Sequence, residues 1–120
     1  MAPLTDTERS GLRDQLLDER VRMERQLASL ERNFAELVES ADLQPPDDEH
    51  DPDATTAYDR AQITSLATAT RAQLVNVDRA LAAIEDGLYG ACERCGRSIG
   101  VARLQALPAA TTCVTCAATG

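Results

Sequence analysis

The sequence predicts a mainly α-helical protein: an antiparallel helical hairpin of coiled-coil type followed by a small C-terminal four-cysteine finger resembling a zinc ribbon. Three observations predict it. Apolar residues recur at steps of three and four over two long segments, a proline-rich acidic run separates those segments, and all four cysteines fall near the C-terminus as two Cys-x-x-Cys pairs. With 120 residues the chain has room for one core of ordinary size. It divides into a hairpin over residues 1–86, with an acidic tip loop at about 42–57, and a finger over residues 87–120.

The first helix begins near Asp6. Thr5-Asp6-Thr7-Glu8 fits a capping box, in which Thr5 and Glu8 satisfy each other's free backbone donors. Its apolar stripe runs through Leu12, Leu16, Met23, Leu27, Leu30, Phe34, Leu37 and Ala41. Between Asp42 and Asp53, paired prolines, a third proline and a run of charge suit a loop and not a helix interior. Helical period resumes with Ile63, Leu66, Thr70, Leu74, Val77, Leu81, Ile84 and Leu88, and Asp86-Gly87 supplies a left-handed C-cap. At ~1.5 Å per residue the two helices measure roughly 54 Å and 45 Å, matched well enough to pack back to back. Neither stripe is wide enough to stand alone, so each helix is expected to stabilise the other by burial.

Cys92-x2-Cys95, seventeen intervening residues and Cys113-x2-Cys116 have the spacing of a zinc-ribbon site. Two residues between cysteines allow a tight backbone knuckle to aim both sulfurs at one ion. Four protein thiolates leave no position for water, so the zinc is expected to be single and structural. Gly96 suits the positive φ of such a knuckle, and Ala117, its counterpart after Cys116, suits it less. Arg94, Arg97 and Arg103 are expected to offset the dianionic cluster and lower the thiolate pKa values. The same spacing also admits a redox dithiol pair, or another metal.

Composition narrows the function classes. Twenty acidic against twelve basic residues give a net charge of -8, which repels phosphate, and three aromatic residues cannot form a stacking platform for bases. Specific DNA binding is therefore not expected, and the partner is expected to be protein. No secretory signal and no run of about 18 apolar residues is present, so the expected location is cytoplasmic, away from membranes. The sole histidine, His50, reads as a solvated loop residue, and no Ser/His/Asp or Cys/His set offers nucleophilic catalysis. An enzyme is not expected.

The residues around the first cysteine pair, Ile84-Glu85-Asp86-Gly87-Leu88-Tyr89-Gly90-Ala91-Cys92-Glu93-Arg94-Cys95-Gly96, resemble the signature of the DksA/TraR family of bacterial transcription regulators. The stretch from Ile99-Gly100 through Arg103-Leu104 to Pro108 and Ala110 is similar to the family's next run. The resemblance is close over residues 81–117 and architectural before them. It implies a regulator that binds RNA polymerase, inserting its coiled-coil tip through the secondary channel towards the catalytic centre. The family's tip carries Asp-x-x-Asp-x-Ala; here Thr56-Ala57-Tyr58-Asp59-Arg60-Ala61 keeps Asp59 and Ala61, with Thr56 in place of the first Asp and Asp53 close by. Thr56-x-x-Asp59 also fits a capping box opening the second helix.

The leading expectation is thus a polymerase-binding regulator with a structural zinc, monomeric, with a dimer as the alternative. Two other readings are a coiled-coil adaptor or stress protein without tip activity, and a zinc-thiolate redox sensor.

Overall fold

A computed structural model describes residues 3–43 and 52–119. Four helices follow in order: α1 (Asp6–Leu43), α2 (Pro52–Glu85), α3 (Val101–Ala106) and α4 (Val114–Ala118). Strand pairing among the described residues is confined to one antiparallel bridge, Ala91 to Ser98. No helix is long and apolar enough to cross a membrane among the described residues.

The start of α1 is the predicted capping box. The Thr5 backbone N–H donates to Glu8 Oε1 at 2.9 Å and the Glu8 N–H to Thr5 Oγ1 at 3.1 Å, so two donors with no helical partner are satisfied reciprocally. Replacing Thr5 by Ala removes one of these bonds and is expected to lower stability by about 1 kcal/mol, measured by urea unfolding of the zinc-loaded chain. At its other end α2 closes as the Asp86-Gly87 pair predicts. The Leu88 N–H donates to the Ala83 carbonyl at 2.9 Å and the Gly87 N–H to that of Ile84 at 3.2 Å, with Gly87 at φ +75°. This is the paired-bond C-terminal motif, and it needs the left-handed residue that glycine provides without steric cost.

Helix occupies both ends of the segment 42–57 expected as a loop. Asp42 and Leu43 belong to α1, and residues 52–57 are already helical. Pro52 is the first residue of α2, where a missing N–H breaks no bond and a fixed φ favours the helix. Thr56 therefore lies inside α2, so the Thr56–Asp59 capping box is not formed. Residues 44–51, including Asp47, Asp48, Glu49, His50 and Asp51, lie outside the described residues, as do the side chains of Ala41 and Asp53.

Packing divides the chain into two compact units, residues 1–22 with 74–120 and residues 23–73, a different partition from 1–86 and 87–120. The reason is apolar supply. The finger buries Cys92, Ile99, Leu104 and Cys113 together with Leu12 from α1, and Leu4, Tyr89, Ala110 and Cys116 pack around them. Without the start of α1 this cluster is open on one side. In the same unit Leu16, Val77 and Ala80 are buried, Arg20 pairs with Asp78 at 3.0 Å, and Gln15 Nε2 donates to the Gln105 carbonyl of α3 at 3.1 Å.

The second unit has a thinner interior. Ala67 and Thr70 are buried, while Leu27, Leu30, Leu37 and Ile63 are half-buried. Thr70 is tolerated because its hydroxyl donates to the Leu66 carbonyl at 2.9 Å. Arg71 bridges to Glu31 at 3.2 Å across the antiparallel seam. The inward positions of α2 run through Ile63, Ala67, Thr70, Leu74, Val77, Leu81 and Ile84 at alternating steps of four and three, with Ala80 also buried beside Leu81. Leu66, expected in the seam, is 48% exposed, and Leu88, beyond the helix end, is 67% exposed.

Candidate metal centre

The first cysteine pair is held by a backbone knuckle. The Cys92 N–H donates to the Arg97 carbonyl at 2.8 Å and the Gly96 N–H returns to the Cys92 carbonyl at 2.9 Å. Gly96 sits at φ +74°, as the turn requires. The second pair is built differently: Cys113 is the N-cap residue of α4 and Cys116 lies in its first turn, with the Ala117 N–H donating to the Cys113 carbonyl at 2.9 Å. A helical turn brings two sulfurs three residues apart to one face, so Ala117 needs no left-handed conformation.

The four sulfurs of Cys92, Cys95, Cys113 and Cys116 all lie within 4.8 Å of one another, and those of Cys95 and Cys113 are 3.7 Å apart. A tetrahedron with Zn–S of about 2.3 Å has edges of about 3.8 Å, whereas a disulfide needs about 2.05 Å. The constellation fits one zinc ion and none of the bonded pairs of an oxidised protein. Cys92 and Cys113 are buried, Cys116 is half-buried and Cys95 is exposed.

The thiols are biased towards and against ionisation in a way that suits a dication. Backbone N–H groups of Cys95, then Cys113 and Arg94, point at the Cys92 sulfur and lower its pKa to about 6 against the opposing effect of burial. The Cys116 N–H lowers that of Cys113. The Cys113 and Cys92 sulfurs push Cys116 up to about 12, because a further negative charge has nowhere to disperse. A doubly positive ion among the four relieves that repulsion, and four thiolate ligands then leave no open coordination position.

The arginines act elsewhere than the sequence suggests. Arg94 donates to the Cys116 carbonyl at 3.3 Å and Arg103 Nε to the Thr112 carbonyl at 3.0 Å, while the Arg97 side chain is exposed. No guanidinium is a cause of the lowered thiol pKa values, which come chiefly from backbone N–H groups. Sequence reasoning also missed Tyr89, whose hydroxyl donates to the Pro108 carbonyl at 2.8 Å; burial pushes its pKa up to about 12, so it remains a donor. Spacing alone could not reveal it, since its partner is nineteen residues away.

The expected tip residues belong to a different compact unit from the cysteines. Thr56, Asp59 and Ala61 lie in the early turns of α2, in the second compact unit, with Thr56 and Asp59 half-buried and Ala61 exposed. Tyr58 between them is 68% exposed.

Residues 87–119 match the family described as the prokaryotic dksA/traR C4-type zinc finger. Over 61 residues, 51% of this chain, the sequence is 43% identical to the RNA polymerase-binding transcription factor DksA of Caulobacter vibrioides (strain NA1000 / CB15N). The match spans 43% of that relative, and the chain spans less than half the length of the curated relatives it matches. The structure of transcription factor DksA2 from Pseudomonas aeruginosa superposes with a TM-score of 0.81 at 24% identity, over 95% of this chain and 83% of that one, which establishes a shared fold. The Chlamydia trachomatis L2 (LGV434) RNA polymerase binding protein and transcriptional regulator Dks gives a TM-score of 0.56 at 26% identity, over 98% and 91% of the two chains. Residues 87–119 are thus a four-sulfur finger of the dksA/traR C4 type, with four cysteines placed to hold one structural zinc, in a chain that shares its fold with DksA2.

Proposed function

We propose that this protein regulates transcription by binding RNA polymerase, not DNA, with the segment that joins α1 to α2 entering the secondary channel and the zinc serving structure alone. The observation that carries the reading is the 43% identity over half of the chain to a protein named as an RNA polymerase-binding transcription factor. Cys92, Cys95, Cys113 and Cys116 are the zinc ligands in this reading. The two long helices supply reach, and the acidic charge between residues 42 and 59, seven acids and no base, acts near the polymerase catalytic metal ions. No chemistry by this chain is required: a carboxylate close to a bound Mg2+ shifts its coordination and the surrounding field electrostatically. Asp59 is the leading residue for that role, with Ala61 two residues on, while Thr56 stands where the family resemblance implies a further Asp and Asp53 precedes it by three residues in the sequence.

The test is binding to core RNA polymerase and transcription in vitro with zinc-loaded protein. The wild type is expected to bind and to change the transcript yield. Asp59→Ala, at unchanged helicity, is expected to weaken that effect by about tenfold, the scale of one lost charge-assisted contact. Absence of polymerase binding by the wild type would remove the reading; wild-type binding with full activity of Asp59→Ala would remove the assigned role of the tip.

A further inference from the structure

The second cysteine pair arrives at the metal on a segment with little regular structure of its own. Between α3 and α4, residues 107–113 have no helical ladder to fix them, yet Cys113 and Cys116 must meet the ion within a few tenths of an ångström. Besides the local bonds within it and the Thr119 hydroxyl on the Cys116 carbonyl at 3.1 Å, four hydrogen bonds are donated to this segment and the pair that follows by residues 89–103. One is between backbones, from the Glu93 N–H to the Thr111 carbonyl at 2.9 Å. Tyr89 reaches Pro108, and the remaining two are guanidinium bonds to carbonyls flanking the ligands: Arg103 to Thr112, one residue before Cys113, and Arg94 to Cys116 itself.

The two arginines are not equivalent. Arg103 is half-buried on α3, and α3 is anchored by Leu104, which is fully buried, and by Gln15 bonding the Gln105 carbonyl. Its guanidinium is thus held in place before the bond forms, which reduces the entropy lost in making it. Arg94 is exposed and its bond is longer. Neither makes an ion pair among the described residues, so their donors are directed at these carbonyls.

We propose that Arg103, assisted by Arg94, is a positioning residue for the metal centre: it straps the second cysteine pair into ligating geometry and so sets how long the zinc is retained. Outer groups of this kind change metal affinity by about 10–100-fold in other sites. The mechanism is positional and not electrostatic, which gives it a control in Arg97, an exposed arginine of the same finger with the same charge.

Zinc release from the full chain into excess chelator tests it, alongside the visible absorption of the cobalt(II)-loaded protein, which reports tetrahedral thiolate geometry. Arg103→Ala is expected to release zinc about 10–100-fold faster, with the tetrahedral cobalt spectrum retained at saturation because all four ligands remain. Arg103→Lys should recover part of the loss, Arg94→Ala should accelerate release a few-fold, and Arg97→Ala should stay within about twofold of wild type. Equal acceleration by Arg97→Ala and Arg103→Ala would overturn the proposal, since charge alone would then explain both. If Arg103→Ala does not fold, Arg103→Met keeps apolar bulk of similar length without a donor: release faster than that of Arg97→Ala supports the strap, and release at the wild-type rate overturns it.

Discussion

Stripping the zinc is expected to unfold residues 87–119 while leaving much of the α1 and α2 helicity in place. The finger has a single β-bridge and two helices of six and five residues, none of which is stable alone. Its buried aliphatic side chains are Ile99 and Leu104, with Leu12 borrowed from α1, each worth roughly 1.5–3 kcal/mol. Structural zinc binding contributes about 10–16 kcal/mol at neutral pH, so the ion and not the apolar cluster dominates the folding of this segment. Cys113→Ser should have the same outcome as a strong chelator, because it removes a buried ligand at the cap of α4. Amide hydrogen exchange reads the result directly, with protection lost across residues 87–119 and at Leu12, while ellipticity at 222 nm falls only by the share of the short helices. Full protection of the finger in metal-free protein would show that side-chain packing suffices.

How much of this could be read from the residues depends on how local the governing rule is. Thr5 and Glu8, the Asp86-Gly87 stop and the Gly96 turn each obey rules that act within four or five residues, and each stands where the spacing puts it. The cysteine pairs were legible for the same reason. What failed was of two kinds. Pro52 reads as a breaker because most prolines inside helices are, yet in the first turn it favours the helix, and this shifted the loop boundary and displaced the supposed cap at Thr56. Other features depend on partners distant in sequence: Leu4 and Leu12 completing the finger, Tyr89 holding Pro108, and two arginines bonding carbonyls where charge balance had suggested sulfurs. No periodicity encodes those contacts. The seam of α2 lies between the two kinds, since its alternation is visible but the choice between Leu66 and Ala67 goes to the larger residue when hydrophobicity alone decides.

That choice has a measurable consequence. Leu16→Ala is expected to cost about 2–5 kcal/mol, because Leu16 is fully buried and a two-helix seam cannot collapse around the space left by the missing carbons. Leu66→Ala should change stability by less than about 0.5 kcal/mol in either direction: the side chain is 48% exposed, the carbonyl that accepts from Thr70 is untouched, and Ala is the better helix former. Ala67→Leu tests the register from the other side. Ala67 is buried, so the added isopropyl group at that position forces the helices apart and should cost about 1–3 kcal/mol, although Leu is the more hydrophobic residue. All three are compared by urea unfolding with zinc in excess, so that metal loss does not contribute. If Leu66→Ala proved as damaging as Leu16→Ala and Ala67→Leu were harmless, α2 would be rotated by one residue about its axis. The inward set would then run through Leu66, and the alternation of four and three from Ile63 to Ile84 would no longer describe the interface.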